Sequence, residues 1–141
     1  LDSLQAAVLN CRLPLLDEDN TRRREIACRY YGGLAGAGDV TLLQDRDGVT
    51  CVYHQMTIRT AHRDALMEYL KKAGIGSSVH YPSPLHHQPA MAGLTDARDE
   101  DFPVATAAAR EVLCLPIYPE MTNEEVETVC AGVRGFFQNP G

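Results

Sequence analysis

A change of hydrophobic period between residues 40 and 80 constrains this chain most. "VTLLQDRDGVTCVYHQMTIR", residues 40–59, is rich in β-branched residues around an Asp47-Gly48 turn, the pattern of a β-hairpin. On its second strand Val52, His54, Met56 and Ile58 share one face, and Tyr53, Gln55, Thr57 and Arg59 the other. His54 sits in the apolar row and reads as a satisfied core histidine rather than a ligand. "HRDALMEYLKKAG" follows at once with a helical period: Leu66, Met67, Leu70 and Ala73 face inward, and Gly74 is the stop. A short strand is expected over residues 75–80. A helix between two strands predicts a crossover connection.

The rest of the chain extends this order. "TDARDED" reads as an acidic, exposed loop. Pro103 opens a short helix, "PVATAAAREV", and "LCLPIY" reads as a brief strand. The last helix opens on a capping box, Thr122 and Glu125, with Val126, Val129, Cys130, Val133 and Phe137 inward. In front lie two helices. The first has Leu1, Leu4, Val8 and Cys11 in one row and ends near Pro14. The second, "LDEDNTRRREIACRYYGGL", lines up Leu16, Arg23, Ala27, Tyr30 and Leu34, and its Arg22–Arg24 run reads mainly as a solvated face. "GGLAGAGD" follows a helix rather than a strand, so it reads as a connector and not a phosphate loop.

The expected fold is α+β: a small mixed or mainly antiparallel sheet with helices packed on it, preceded by two helices. Residues 1–35 are expected to be linking helices with little of their own to pack on. Residues 36–141 are expected to form the α+β domain. The chain opens into a helical pattern with no capping run, as a piece of a longer polypeptide would.

Composition narrows the function. With 141 residues the chain can bury one core. A formal charge of -6 disfavours a nucleic-acid partner. No apolar run reaches the ~18 residues of a membrane span, and no secretory h-region is legible. The five cysteines are odd in number and lack a C-x-x-C, which argues against a disulfide framework or zinc ribbon and for a reducing cytoplasm. Four of the five fall at apolar-patterned positions and read as buried free thiols.

Chemistry concentrates in "VHYPSPLHHQPAM", residues 79–91, a proline-stiffened loop. His80, His86 and His87 could bind a metal with Cys114 or a carboxylate, but they lack helical i, i+4 spacing, so no metal is expected. Hydrogen bonding at a pocket rim is the better role, since ligands often gather at strand ends. There is no G-x-S-x-G elbow, and Cys51 and Cys114 have no obvious cationic neighbour. The only lysines, Lys71 and Lys72, fall in the last turn of an amphipathic helix, facing solvent. A Schiff-base lysine must be sheltered and fixed beside its cofactor, so neither suits that role.

The segments "LDSLQAAVL", "LDEDNTRRREIACRYYGGL", "YHQMTIRTAHRDALMEYLKKAGIGSSVHYPSPLHHQPAM" and "DFPVATAAAREVLCLPIYPEMTNEEV" occur here in the order of the DegT/DnrJ/StrS-type sugar aminotransferases. The chain resembles this family from about Leu1 to Phe137, and "VHYPSPLHHQPA" and "LCLPIYPEMT" are the specific phrases. The resemblance implies the small C-terminal domain of a fold-type I pyridoxal-phosphate enzyme. It implies a large domain, before Leu1, that carries the Schiff-base lysine, the aspartate on the pyridine nitrogen and most phosphate-binding groups. An Asn and an Arg that help bind cofactor across a dimer interface would also lie upstream.

In the full-length enzyme the resemblance implies pyridoxal 5'-phosphate, a nucleotide-linked keto-sugar substrate, an amino donor that is commonly glutamate, and a homodimer. Cyclitol and aminobenzoate-type products are alternatives within the family. His80 and Tyr81 are implied on the substrate side of the pocket, with His86 a further candidate. Their implied task is to orient the sugar or its phosphates. No catalytic or cofactor-binding residue, and no bound cofactor, is expected in this chain alone, which is therefore expected to be inactive. Two departures are visible: "VAT" after Pro103 where the family more often shows "VAE", and "LDEDN" without the usual aromatic. The rival expectations are a stand-alone binding or oligomerisation module and a metal-dependent hydrolase using His80, His86 and His87.

Overall fold

The chain is described here from a computed structural model covering residues 2–138. Leu1 lies outside the described residues. Five α-helices and three strands follow in the order α1 (Ser3–Arg12), α2 (Leu16–Leu34), β1 (Thr41–Leu42), β2 (Met56–Arg59), α3 (Arg63–Lys72), α4 (Pro103–Glu111), β3 (Val112–Leu115) and α5 (Asn123–Gln138). The fold is α+β, as the sequence predicts, and the sheet is wholly antiparallel in the order β1-β2-β3. Leu42 pairs with Ile58, and Ile58 in turn with Leu113, so the three strands contribute to one apolar row.

The crossover is present in reduced form. Residues 75–80 make no full strand; Ser78 alone bridges Cys114, on the edge of β3 that β2 leaves free. Ser78 N–H donates to Cys114 O at 3.1 Å, and Cys114 N–H to Ser78 O at 2.8 Å. This segment runs antiparallel to β3 and therefore parallel to β2, with α3 spanning the two. Helix α3 stops where glycine permits: Gly74 has φ +76°, and Ile75 N–H folds back onto Leu70 O at 2.9 Å.

The core joins α2, α3 and α5 to one face of the sheet. Ile26, Ala27, Tyr30 and Leu34 from α2 meet Met56, Ile58, Leu66, Leu70, Leu113, Val126, Val129, Cys130 and Val133. Helices α2 and α5 approach so closely that a Cβ on Gly33 would stand 2.5 Å from Cys130 Sγ. The capping box of α5 forms as expected: Thr122 N–H donates to Glu125 Oε2 at 2.7 Å and Glu125 N–H to Thr122 Oγ1 at 3.2 Å.

Several expectations need correction. Helix α2 has a core of its own to join, because its apolar row, which includes the unforeseen Ile26, meets α5. Helix α1 does carry a cap, a box between Asp2 and Gln5. Strand β2 begins only at Met56, and His54 is exposed rather than in the core. Ala73 is exposed as well. Cys11 and Cys28 are exposed and Cys51 half-buried, so only Cys114 and Cys130 are buried thiols. All five are free.

Arginines 22 and 23 are no simple solvated face. Arg22 donates to Met121 O at 2.9 Å, and Arg23 donates to Ile117 O at 3.1 Å and Tyr53 O at 3.4 Å. Their guanidinium donors satisfy carbonyls that no strand partner reaches.

Candidate functional site

The loop after Ser78 is placed by two anchors. The first is the Ser78–Cys114 bridge, which fixes where the chain leaves the sheet. The second is a run of short turns, Leu85–His87 and Pro89–Met91, each preceded by an extended residue. His87 N–H donates to Pro84 O at 3.0 Å and Met91 N–H to Gln88 O at 2.8 Å. Proline at positions 82, 84 and 89 restricts φ along this path.

His80 and Tyr81 stand together at the start of the loop. Their ring centres are 6.0 Å apart with planes nearly perpendicular, and the peptide bond between them is cis. His80 Nδ1 lies 3.3 Å from Ser78 Oγ, a contact that sets ring orientation. Tyr81 is 78% exposed, so its ring offers a whole face and its hydroxyl to whatever adjoins this surface.

His86 belongs to a different cluster. Its Nε2 is 3.2 Å from Asp99 Oδ1, and His87 Nε2 is 2.6 Å from the same oxygen. Asp99 Oδ2 accepts from Arg110 Nη2 at 3.1 Å. The His86 ring stacks on Phe102, with centres 5.2 Å apart and planes 29° apart, and its side chain is only 6% exposed. The hydrogen bond from His86, helped by His87 and Arg110, holds the Asp99 carboxyl below the usual carboxylate range despite the opposing effect of desolvation.

The structure therefore divides the histidines named from sequence. His80 and Tyr81 share one end of the loop, while His86 and His87 converge on Asp99. Among the described residues, His86, His87 and Asp99 are the group whose possible ligand atoms gather within 4.8 Å, and His80 is not part of it. Asp99 and Arg110 were not foreseen. The acidic stretch reads as solvent-facing, and nothing in residue spacing links it to a histidine pair thirteen residues earlier.

Both lysines are exposed, and Lys72 Nζ makes a 3.8 Å pair with Glu68. His54 lines a surface groove of ≈ 520 Å³ with Leu9, Leu13, Leu16 and Val52. No helix among the described residues is long and apolar enough to cross a membrane.

Comparison with known proteins bears on this arrangement. The chain is 39% identical over 141 residues to the "Pleiotropic regulatory protein" of Geobacillus stearothermophilus, covering 99% of this chain and 38% of the relative. It is 42% identical over 134 residues to the dTDP-3-amino-3,4,6-trideoxy-alpha-D-glucose transaminase of Streptomyces venezuelae, covering 95% of this chain and 35% of that enzyme. Among solved structures, S. venezuelae DesV in complex with a ketimine intermediate superposes with a TM-score of 0.93 at 39% identity. That match covers 99% of this chain and 37% of DesV. The chain thus spans little more than a third of the length of these relatives. Residues 1–134 match the DegT/DnrJ/EryC1/StrS aminotransferase family, and to that family this chain belongs.

Proposed function

We propose that this chain is the small C-terminal domain of a pyridoxal-phosphate-dependent aminotransferase. The full-length enzyme would transfer an amino group, with glutamate as donor, to a nucleotide-linked keto-sugar. The observation that carries the proposal is the match of nearly the whole chain, in sequence and in fold, to about a third of a transaminase. The work would take place in the cytoplasm, in a homodimer.

The residues present do not fit the cofactor itself. A pyridoxal-phosphate site needs a sheltered amine for its Schiff base, and both side-chain amines here lie in water at the end of α3. The isolated chain is therefore proposed to be inactive. Its contribution would be one wall of the site, with residues 1–35 linking that wall to the larger domain.

His80 and Tyr81 are the proposed substrate contacts. Their support is local geometry: an exposed aromatic ring and an imidazole oriented by Ser78, side by side where the chain leaves the sheet edge. Both can hydrogen-bond sugar hydroxyls or phosphate oxygens. His86 is a lesser contact, because its ring is stacked on Phe102 and its Nε2 is taken by Asp99.

Two measurements test the proposal. The purified chain, given pyridoxal phosphate, glutamate and a keto-sugar nucleotide, should show no turnover; turnover would refute the division of labour. In the full-length enzyme, His80→Ala should lower kcat/KM for the sugar while leaving the half-reaction with glutamate intact. An unchanged kcat/KM would remove His80 from the site.

A further inference from the structure

Asp99 Oδ1 is met by two imidazole nitrogens from adjacent residues, His86 at 3.2 Å and His87 at 2.6 Å. We propose that His86, His87 and Asp99 form a binding site for a divalent transition-metal ion of the zinc class. Two imidazoles and a carboxylate are the donor set that such borderline ions take, and a poor one for magnesium, which prefers oxygen ligands and water. The three ligand atoms lie within 4.8 Å of one another. Metal–nitrogen bonds of about 2.0–2.1 Å place tetrahedral ligand atoms about 3.3 Å apart. The His86–Asp99 spacing already matches, the His87–Asp99 spacing must widen from 2.6 Å, and the two imidazole nitrogens start within 4.8 Å of each other.

The surroundings are those of a prepared site. Stacking on Phe102 holds the nearly buried His86 ring in place. Arg110 grips Asp99 Oδ2 and so turns Oδ1 toward the imidazoles, as an outer partner of a metal ligand does. His87 and Asp99 are 47% and 38% exposed, which leaves an entry path and a coordination position for water. Without the ion, the two ring N–H groups donate to one oxygen. Binding the ion requires each imidazole to turn its Nε2 lone pair to the metal, with any ring proton on Nδ1. Three protein ligands and a neighbouring guanidinium make this a weaker site than a closed four-ligand one.

The ion would staple the turn at Leu85–His87 to the turn at Asp99–Asp101 just before α4. It would also occupy His86 Nε2, leaving substrate contacts to His80 and Tyr81. The site needs neither the cofactor nor the proposed reaction.

Chelator-stripped chain, titrated with Co²⁺, should develop visible d–d absorption at one equivalent. Zn²⁺ should displace the signal and Mg²⁺ should not. His87→Gln and Asp99→Asn should each weaken binding at least about tenfold, the cost typical of disturbing a metal site. His54→Gln, at an exposed histidine outside the cluster, should leave it unchanged. Absence of the band at millimolar Co²⁺, or equal loss in His54→Gln and His87→Gln, would overturn the proposal.

Discussion

Helices α1 and α5 are alike in pattern and opposite in fate. Each opens on a capping box and each carries an apolar row. Helix α5 buries Val126, Val129, Cys130 and Val133, whereas α1 has no buried residue, and Leu4 stays 75% exposed. The α1–α2 junction is similar, with Leu13 65% exposed. Helical period reports that a face is suited to burial; it does not report that the covering surface is on the same chain. In α5 the cover is α2 and α3.

That contrast can be broken by paired truncations. Leu113→Ala in β3, where the side chain is fully buried, should cost about 2–5 kcal/mol in urea unfolding. Leu13→Ala should change stability by no more than about 0.5 kcal/mol. A cost at Leu13 comparable to that at Leu113 would show that the α1–α2 junction is held as firmly as the central sheet. Gly33→Ala probes the tightest approach of α2 to α5 and should cost about 1–3 kcal/mol, because its new methyl would collide with Cys130 Sγ. Combining it with Cys130→Ala should recover part of the loss, a coupling measurable by a double-mutant cycle. Removal of the α5 cap by Thr122→Ala should cost about 1 kcal/mol of global stability. Asp2→Ala should only increase amide exchange in the first turn of α1.

The smallest effect is one of pH and concerns the connector between α2 and β1. Burial raises the Asp39 pKa, but hydrogen bonds from Thr60 Oγ1 at 2.5 Å and Ala61 N–H at 2.8 Å, together with His62, outweigh it and hold the carboxyl below its ordinary value. A depressed folded pKa stabilises above the unfolded value and is lost as pH falls through the folded one. The difference between the parent chain and Asp39→Asn in urea midpoint should therefore be full at neutral pH. It should vanish on acidification below the usual carboxylate range. A difference that grows in acid would contradict this assignment.

Local signals in the sequence were reliable where one element decided the outcome. The Gly74 stop, the Thr122–Glu125 box and the inward row of α5 needed only short spacings. Predictions failed where a distant partner decided. The alternation at Val52 and His54 looks like strand, yet pairing with β3 begins only at Met56, opposite Leu115. Residues 75–80 have the composition of a strand, but only Ser78 finds Cys114. At the loop site, a histidine pair and an acidic stretch are both visible in the sequence. Their meeting depends on how the proline-rich turns route the chain, which no period encodes. Tyr81's exposure and the side-by-side placement of His80 were likewise out of reach of pattern alone.

The guanidinium of Arg23 reaches Tyr53 O in the long β1–β2 loop and Ile117 O just after β3. One side chain thereby moors two excursions that are far apart in sequence. Replacing the arginine would therefore release both loop carbonyls at once, whereas lengthening one loop would free only its own.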